Sequence, residues 1–516
     1  MKYVSIFLAA ALFAGLQSIS PAPAAAEQVL RVGIHGAEAG SFDPSMSAET
    51  IDNIVTAWMY GGLVRFPPGT IDPSKIEPDL AESWTHSDNG LIWTFKLRPN
   101  VAFHHGYGKL TAEDVVYSLK RASNPKTSIF ASDFAAFDKV EAPDPATVQI
   151  TLKHRVPSLL AIVTAQRGAL IISRKADEES KGEYSKNPIG TGPFQFEEYK
   201  AKQYVRLSAN PDYYRGKPKI DQIYYRYIPS NESRDLAFRA GELDLFYGRK
   251  EQKWAERMKS TPGIVIDVFG PGELRLINLN ESMKPLDDIR VRQAIAHAIN
   301  HEQFVKFVGA DVVANNPSVV PLGYLGYTKD VPRFDYDVAK AKQLLKEAGY
   351  PNGLTLKVLG SNRSFVEPYQ LLQAQLAKAG IVMDLQLVEH PAWHSQIRKD
   401  LSPIVVYTAA RFPIADIFLT QFFHSDSAIG QPRAVTNFSH CKVADKDIDA
   451  ARIETAPEKQ LQDWREAQRK IVADVCAIPL FDEQQVWGRS NKLDLGYKLE
   501  ASISFGPMIT EKTTFK

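Results

Sequence analysis

The residues best suited to chemistry in this 516-residue chain are scattered, and their spacing excludes most of the reactions they suggest. His104-His105 offers two imidazoles, but neighbours on an extended strand point to opposite faces and cannot grip one metal ion together. No His-Glu-x-x-His run, no Cys-x-x-Cys pair and no Gly-x-Ser-x-Gly elbow occurs. Gly190-Thr-Gly192-Pro-Phe has the outline of a phosphate loop. It lacks the third glycine of the dinucleotide fingerprint, and Pro193 removes an amide donor. Nothing assembles a nucleophile, a base and an oxyanion donor. The reading is a protein without catalysis, without cofactor and without bound metal.

A different cluster is better placed. Leu354 to Leu359 reads as a strand, and a helix with Leu372, Leu376 and Ala379 on one face follows, closed by Gly380. Ile381 to Val388 reads as a second strand and Ile404 to Tyr407 as a third. Strand, helix, strand at these lengths predicts a right-handed crossover in a parallel sheet. Ligands of open α/β sheets bind beyond the carboxyl ends of the strands. Those ends carry Ser361-Asn362-Arg363, His390-Pro-Ala-Trp393 and Thr408-Ala-Ala-Arg411, so two arginines and a tryptophan are expected to face one crevice.

Other helix signals agree with an alternating α/β chain. Thr111-Ala-Glu-Asp114 reads as a capped helix start ahead of Val115 and Leu119. Val291, Ile295 and Ile299 predict an amphipathic helix over 288–299. Asp337 caps another that buries Ala341, Leu344, Leu345 and Ala348, stopped by Gly349 and Pro351.

Length alone demands more than one core. Lys and Arg number 61 against 60 Asp and Glu, which gives no bulk-charge reason to expect a nucleic-acid or membrane-surface partner. Lys2, the apolar run from Val4 to Leu16 and Ala24-x-Ala26 before Glu27 form an export signal, with cleavage expected near Ala26. The run is shorter than the roughly 20 residues that span a bilayer, although an uncleaved anchor is the alternative. Cys441 and Cys476 are the two cysteines; export favours a disulfide, and two buried thiols are the other reading.

Several groups of residues together carry a family resemblance. They are Ser41-Phe-Asp-Pro44, then Pro78-Asp-Leu-Ala-Glu-Ser-Trp84 continuing through Trp93-Thr-Phe-Lys-Leu-Arg98 and Phe103-His-His-Gly106 to Thr111-Ala-Glu-Asp-Val115. Pro188-Ile-Gly-Thr-Gly-Pro-Phe194 and Asn210-Pro-Asp-Tyr-Tyr-Arg-Gly-Lys-Pro218 follow. Arg239-Ala-Gly-Glu-Leu-Asp-Leu245 and Val291-Arg-Gln-Ala-Ile295 come last. In this order they resemble the large periplasmic solute-binding proteins of ABC importers, in the oligopeptide, dipeptide and nickel class.

The resemblance implies an α/β, two-lobed periplasmic-binding-protein fold of the large type II (cluster C) kind. One lobe would comprise residues 27–65, 187–280 and 480–516, with 66–186 as its subdomain, and the other 281–479. It implies a periplasmic monomer that delivers a small ligand to an inner-membrane permease; a sensor for a chemoreceptor, or more distantly a secreted hydrolase, is the competing reading. Peptide-binding members hold the free amino group with an aspartate in Gly-Trp-x-Ala-Asp. The matching stretch here is Tyr407-Thr408-Ala409-Ala410-Arg411, followed by Phe418-Leu419, so the acid is replaced by a guanidinium. An ammonium beside Arg411 would be repelled. The expected ligand is anionic, held by Arg411 with Arg363, with Trp393 stacking and Tyr407 and Thr408 offering hydroxyls. If Arg411 pairs with Asp416 instead, a neutral ligand such as an oligosaccharide is expected. Phe130 and Thr50 are carried over as further ligand-facing positions.

Overall fold

The computed structural model describes residues 27–47, 49–156, 159–164, 166–362, 366–431 and 436–516. The export signal and Arg363 therefore lie outside the described residues. The frame is a pair of long strands. Ile264–Leu279 and Ala477–Ser490 run antiparallel, from Ile264 opposite Ser490 to Asn278 opposite Ala477. Their register breaks between Phe269 and Glu273, and again between Arg275 and Leu276.

These strands lie inside the largest sheet, which has nine strands among the described residues. Beside Ala477–Ser490 come Leu245–Tyr247, Val29–Ile34, Gln222–Tyr227, Tyr204–Ala209 and Phe194–Lys200, in that spatial order. Val29–Ile34 pairs in parallel with both its neighbours; the other pairings among these strands are antiparallel. A separate four-stranded antiparallel sheet orders Ala81–His86, Ile92–Leu97, Thr147–Leu152 and Phe137–Asp144.

The two long strands feed three hydrophobic cores, because alternate side chains of one strand point to opposite faces. Phe269 and Trp487 join Leu30, Trp58, Phe95 and Ile150 in the first. Ile277, Leu279 and Phe481 join the helices Ile289–Ala298 and Val338–Glu347 in the second. Leu274, Leu276 and Ala477 join Ala415–Phe423 and Pro457–Ala473 in the third.

Local signals act as their chemistry requires. The Thr111 backbone N–H donates to Asp114 at 3.0 Å and its hydroxyl at 2.7 Å, completing the capping box of Ala112–Ala122. Asp288 and Asp337 accept from the first-turn amides of Arg290 and Lys340. Gly190 and Gly192 serve packing rather than phosphate: a Cβ at either would fall 2.1 Å or 2.5 Å from the backbone of Met59. His104 and His105 lie in a short 3₁₀ turn rather than on a strand, each ring bonded to a carbonyl, of Gly192 and Phe196 respectively.

Leu354–Ser361 and Ile381–Val388 pair in parallel around the helix Val366–Lys378, as their spacing predicts. The third strand corrects the expectation. Ile404–Ala409 hydrogen-bonds antiparallel to Ile264–Leu279, with Leu279 opposite Ile404, and is not a ladder partner of the parallel pair. Cys441 and Cys476 form a disulfide with Cα atoms 5.6 Å apart, closing a loop of 35 residues. In the chain-entropy account a loop of that length is stabilised by roughly 3–4 kcal/mol. Among the described residues no helix is long and apolar enough to cross a membrane.

One buried carboxylate sits on the frame. Asp482 Oδ2 accepts from Asn316 Nδ2 and the Leu322 amide, each at 2.9 Å, while Oδ1 is buried without a partner. Burial pushes this carboxyl up to about 7. The folded chain therefore keeps a proton there that the unfolded chain, at about 3.9, has released. Stability from this group falls as pH rises from about 4 to 7 and is level above. Asp482→Asn removes the titration. In urea unfolding its stability relative to the parent should improve by roughly 2–4 kcal/mol between pH 4 and pH 8. A difference that does not change with pH would contradict this assignment.

Candidate functional site

Arg411 leaves the end of the Ile404–Ala409 strand and precedes the helix Ala415–Phe423. Its backbone is clamped by one phenol: the Arg411 amide donates to Tyr324 Oη at 2.9 Å, and that hydroxyl donates to the Arg411 carbonyl at 2.6 Å. The side chain donates from Nε to Gln421 Oε1 at 2.5 Å and from Nη1 to the Ala410 carbonyl at 2.9 Å. The guanidinium lies 5.1 Å from the ring centre of Phe422. Asp416 is not its partner; that carboxylate lies 3.7 Å from Arg452 Nε.

A second guanidinium approaches from the segment that carries the four-stranded sheet. Arg167 sits 5.7 Å over the ring of Phe130. Burial and the charge of Arg411 push Arg167 down, while Asp133 opposes them. Burial raises the Asp133 carboxyl, with Arg167 and Arg411 pulling the other way. Phe130, Asp133, Arg167 and Arg411 thus form one electrostatic neighbourhood. Among the described residues neither Arg167 nor Arg411 has an ion-pair partner. Two cations face one acid here.

The same two segments meet beside this group. Phe66 stacks on Phe412 with ring centres 5.6 Å apart. Arg155 Nη1 donates to the Glu454 carbonyl at 2.9 Å. A cavity lined by Phe66, Thr164, Tyr213 and Thr510 adjoins this seam.

The carboxyl ends of the strands do converge. Ser361 Oγ and His390 Nδ1 are 2.9 Å apart, and His390 lies nearly parallel to Trp393, which lies nearly parallel to Tyr407. Tyr407 contacts Phe422, the ring beneath Arg411. Trp393 is not the open stacking platform expected from sequence. It is 4 % exposed, stacked by both neighbours, and donates its indole N–H to the Leu359 carbonyl at 3.1 Å. It is a support for Tyr407.

The remaining positions separate. Thr408 is half-buried opposite Arg275, and Ala409 is buried in the third core opposite Leu274. Thr50 opens the helix Thr50–Met59, and among the described residues no hydrogen bond, ion pair or ring contact joins it to the arginines. Arg167 and Asp133 were not legible in the sequence: both lie in short 3₁₀ turns with no motif around them.

The family model for bacterial extracellular solute-binding proteins, family 5, matches residues 75–429. The chain belongs to that family. The glutathione-binding protein GsiB of Pectobacterium atrosepticum is 31 % identical over 487 residues, covering 92 % of each chain. MoaA of A. tumefaciens R10, solved with mannopinic acid, is 49 % identical with a TM-score of 0.85, covering 95 % of this chain and 100 % of that one. DppA of Helicobacter pylori, solved with the peptide STSA, is 27 % identical with a TM-score of 0.81, covering 94 % and 98 %. The fold is the two-lobed α/β periplasmic-binding-protein fold. The chain is a periplasmic carrier, not an enzyme: it binds a small solute and delivers it to the permease of an ABC importer.

The packing role of Trp393 has a direct test. Trp393→Ala should lower the unfolding free energy by about 3–5 kcal/mol in denaturant titration, as loss of a buried indole does. A loss of ligand affinity with stability intact would instead make Trp393 a contact residue.

Proposed function

We propose that the cargo of this carrier is an organic acid whose carboxylate is held between Arg411 and Arg167. The observation that carries the reading is the pair of guanidinium groups, approaching from different segments and without an ion-pair partner among the described residues. Two half-buried cations that share one acid leave a net positive charge, and a bound carboxylate offsets it through charge-assisted bonds. Arg411 reaches the site pre-oriented by Gln421 and the Ala410 carbonyl, so little side-chain freedom is lost on binding. Asp133 faces the same space and suits a hydroxyl or cationic group on the same ligand.

Mannopinic acid, the ligand of the 49 % identical MoaA, fits this class and is the first compound to try. A free peptide fits less well, since the position where peptide binders place an acid is Arg411. Phe130 supports Arg167 from below, and Tyr407 with Thr408 offers hydroxyls near Arg411. Arg363 and Thr50 are retained as candidate contacts. The lobes are proposed as 27–65, 187–280 and 480–516 with subdomain 66–186, against 281–479. The mature chain begins at Glu27.

Calorimetry with mannopinic acid, glutathione and a tetrapeptide tests the reading on the exported protein, whose intact mass should correspond to a start at Glu27. The acid should bind, and Arg411→Ala and Arg167→Ala should each weaken it at least roughly tenfold, the cost of one charge-assisted contact. Affinity unchanged in Arg411→Ala, or a peptide preferred over every acid, sinks the proposal.

A further inference from the structure

Away from the arginines, the helix His390–Ile397 carries a second constellation. His390 and His394 are one helical turn apart, and their Nε2 atoms approach to 3.2 Å. Residues four apart share a helix face, so this closeness is built into the spacing. The helix is pinned underneath by Trp393 and by Ile397, which is 1 % exposed. Both histidines are partly open to solvent.

The hydrogen bonds assign the protons. Arg398 can only donate, so His394 Nδ1, 3.3 Å from Arg398 Nη1, is an acceptor and the His394 proton sits on Nε2. That proton points to His390 Nε2, which leaves the His390 proton on Nδ1, facing Ser361 Oγ at 2.9 Å. In this arrangement each ring holds one proton and one lone pair, as a neutral imidazole does. Neutral imidazoles are metal ligands; imidazolium ions are not.

We propose that His390 and His394 form a two-histidine site for a borderline divalent transition ion such as Ni²⁺, Cu²⁺ or Zn²⁺. Metal–imidazole bonds of about 2.0–2.1 Å drawn from nitrogens 3.2 Å apart meet at about 100°, between the square-planar and tetrahedral angles. The His390 ring is already oriented by Ser361 through its far nitrogen, which is the usual arrangement behind a metal-bound histidine. For the ion to bind, the His394 proton moves from Nε2 to Nδ1 through solvent. No net proton is released, and both Nε2 lone pairs then serve the ion. The moved proton faces the Arg398 N–H, so Arg398 works against the site. Water or anionic groups of small molecules would complete the coordination.

The test is calorimetric titration of the exported, metal-stripped protein with NiCl₂ or CuCl₂, with MgCl₂ as the control. Fluorescence is followed in parallel, because Trp393 lies beside both imidazoles. One equimolar event of micromolar affinity is expected, absent with Mg²⁺. His390→Asn and His394→Gln should each weaken it by roughly tenfold or more, and Arg398→Ala should tighten it. Circular dichroism of each variant reads folding separately, and Arg398→Ala leaves both imidazoles in place. No binding at millimolar Ni²⁺, equal affinity in either histidine variant, or weaker binding in Arg398→Ala overturns the site.

Discussion

The antiparallel pairing of Ile264–Leu279 with Ala477–Ser490 is the constraint on which the molecule is organised. Both strands are longer than the five or six residues usual for a strand, and each contributes side chains to more than one core. Their ladder is interrupted where Phe269 gives way to Glu273. Such a break leaves locally unpaired backbone and lets a strand bend. The same ribbon therefore ties all three cores together, and the third also takes Phe66 and Ala161 from the segment that carries the four-stranded sheet.

The arginine site follows from the same frame. Ile404–Ala409 is laid down beside Ile264–Leu279, and its end delivers Arg411 to the face that meets Arg167. The aromatic run of Trp393, Tyr407 and Phe422 fixes the floor beneath that guanidinium. Rigid aromatic backing keeps a charged group in one place at small entropic cost, and so raises what a single charge-assisted contact can contribute.

Much of the fold was legible because it is written locally. Alternating apolar residues at 354–359 and 381–388 specify strands, and Thr111 with Asp114 specifies a helix start. The partner of the third strand was not legible: Ile404 pairs with Leu279, more than a hundred residues earlier, and no local pattern encodes that choice. The site divides in the same way. Arg411 stands out because its position has a chemical expectation attached to it. Arg167 and Asp133 carry none, since what matters is the distance between turns that tertiary packing alone sets. Trp393 shows a related limit: sequence shows an aromatic ring but not that His390 and Tyr407 already lie against it.

The stacked rings of Phe66 and Phe412 bear on how the carrier idles. An aromatic pair contributes only about 0.5–1.5 kcal/mol beyond its buried area, a bias within a few multiples of thermal energy. With the Arg155–Glu454 bond, it is one of few specific contacts described across this seam. So weak a hold between two segments leaves their relative placement open to bias by anything that binds both of them.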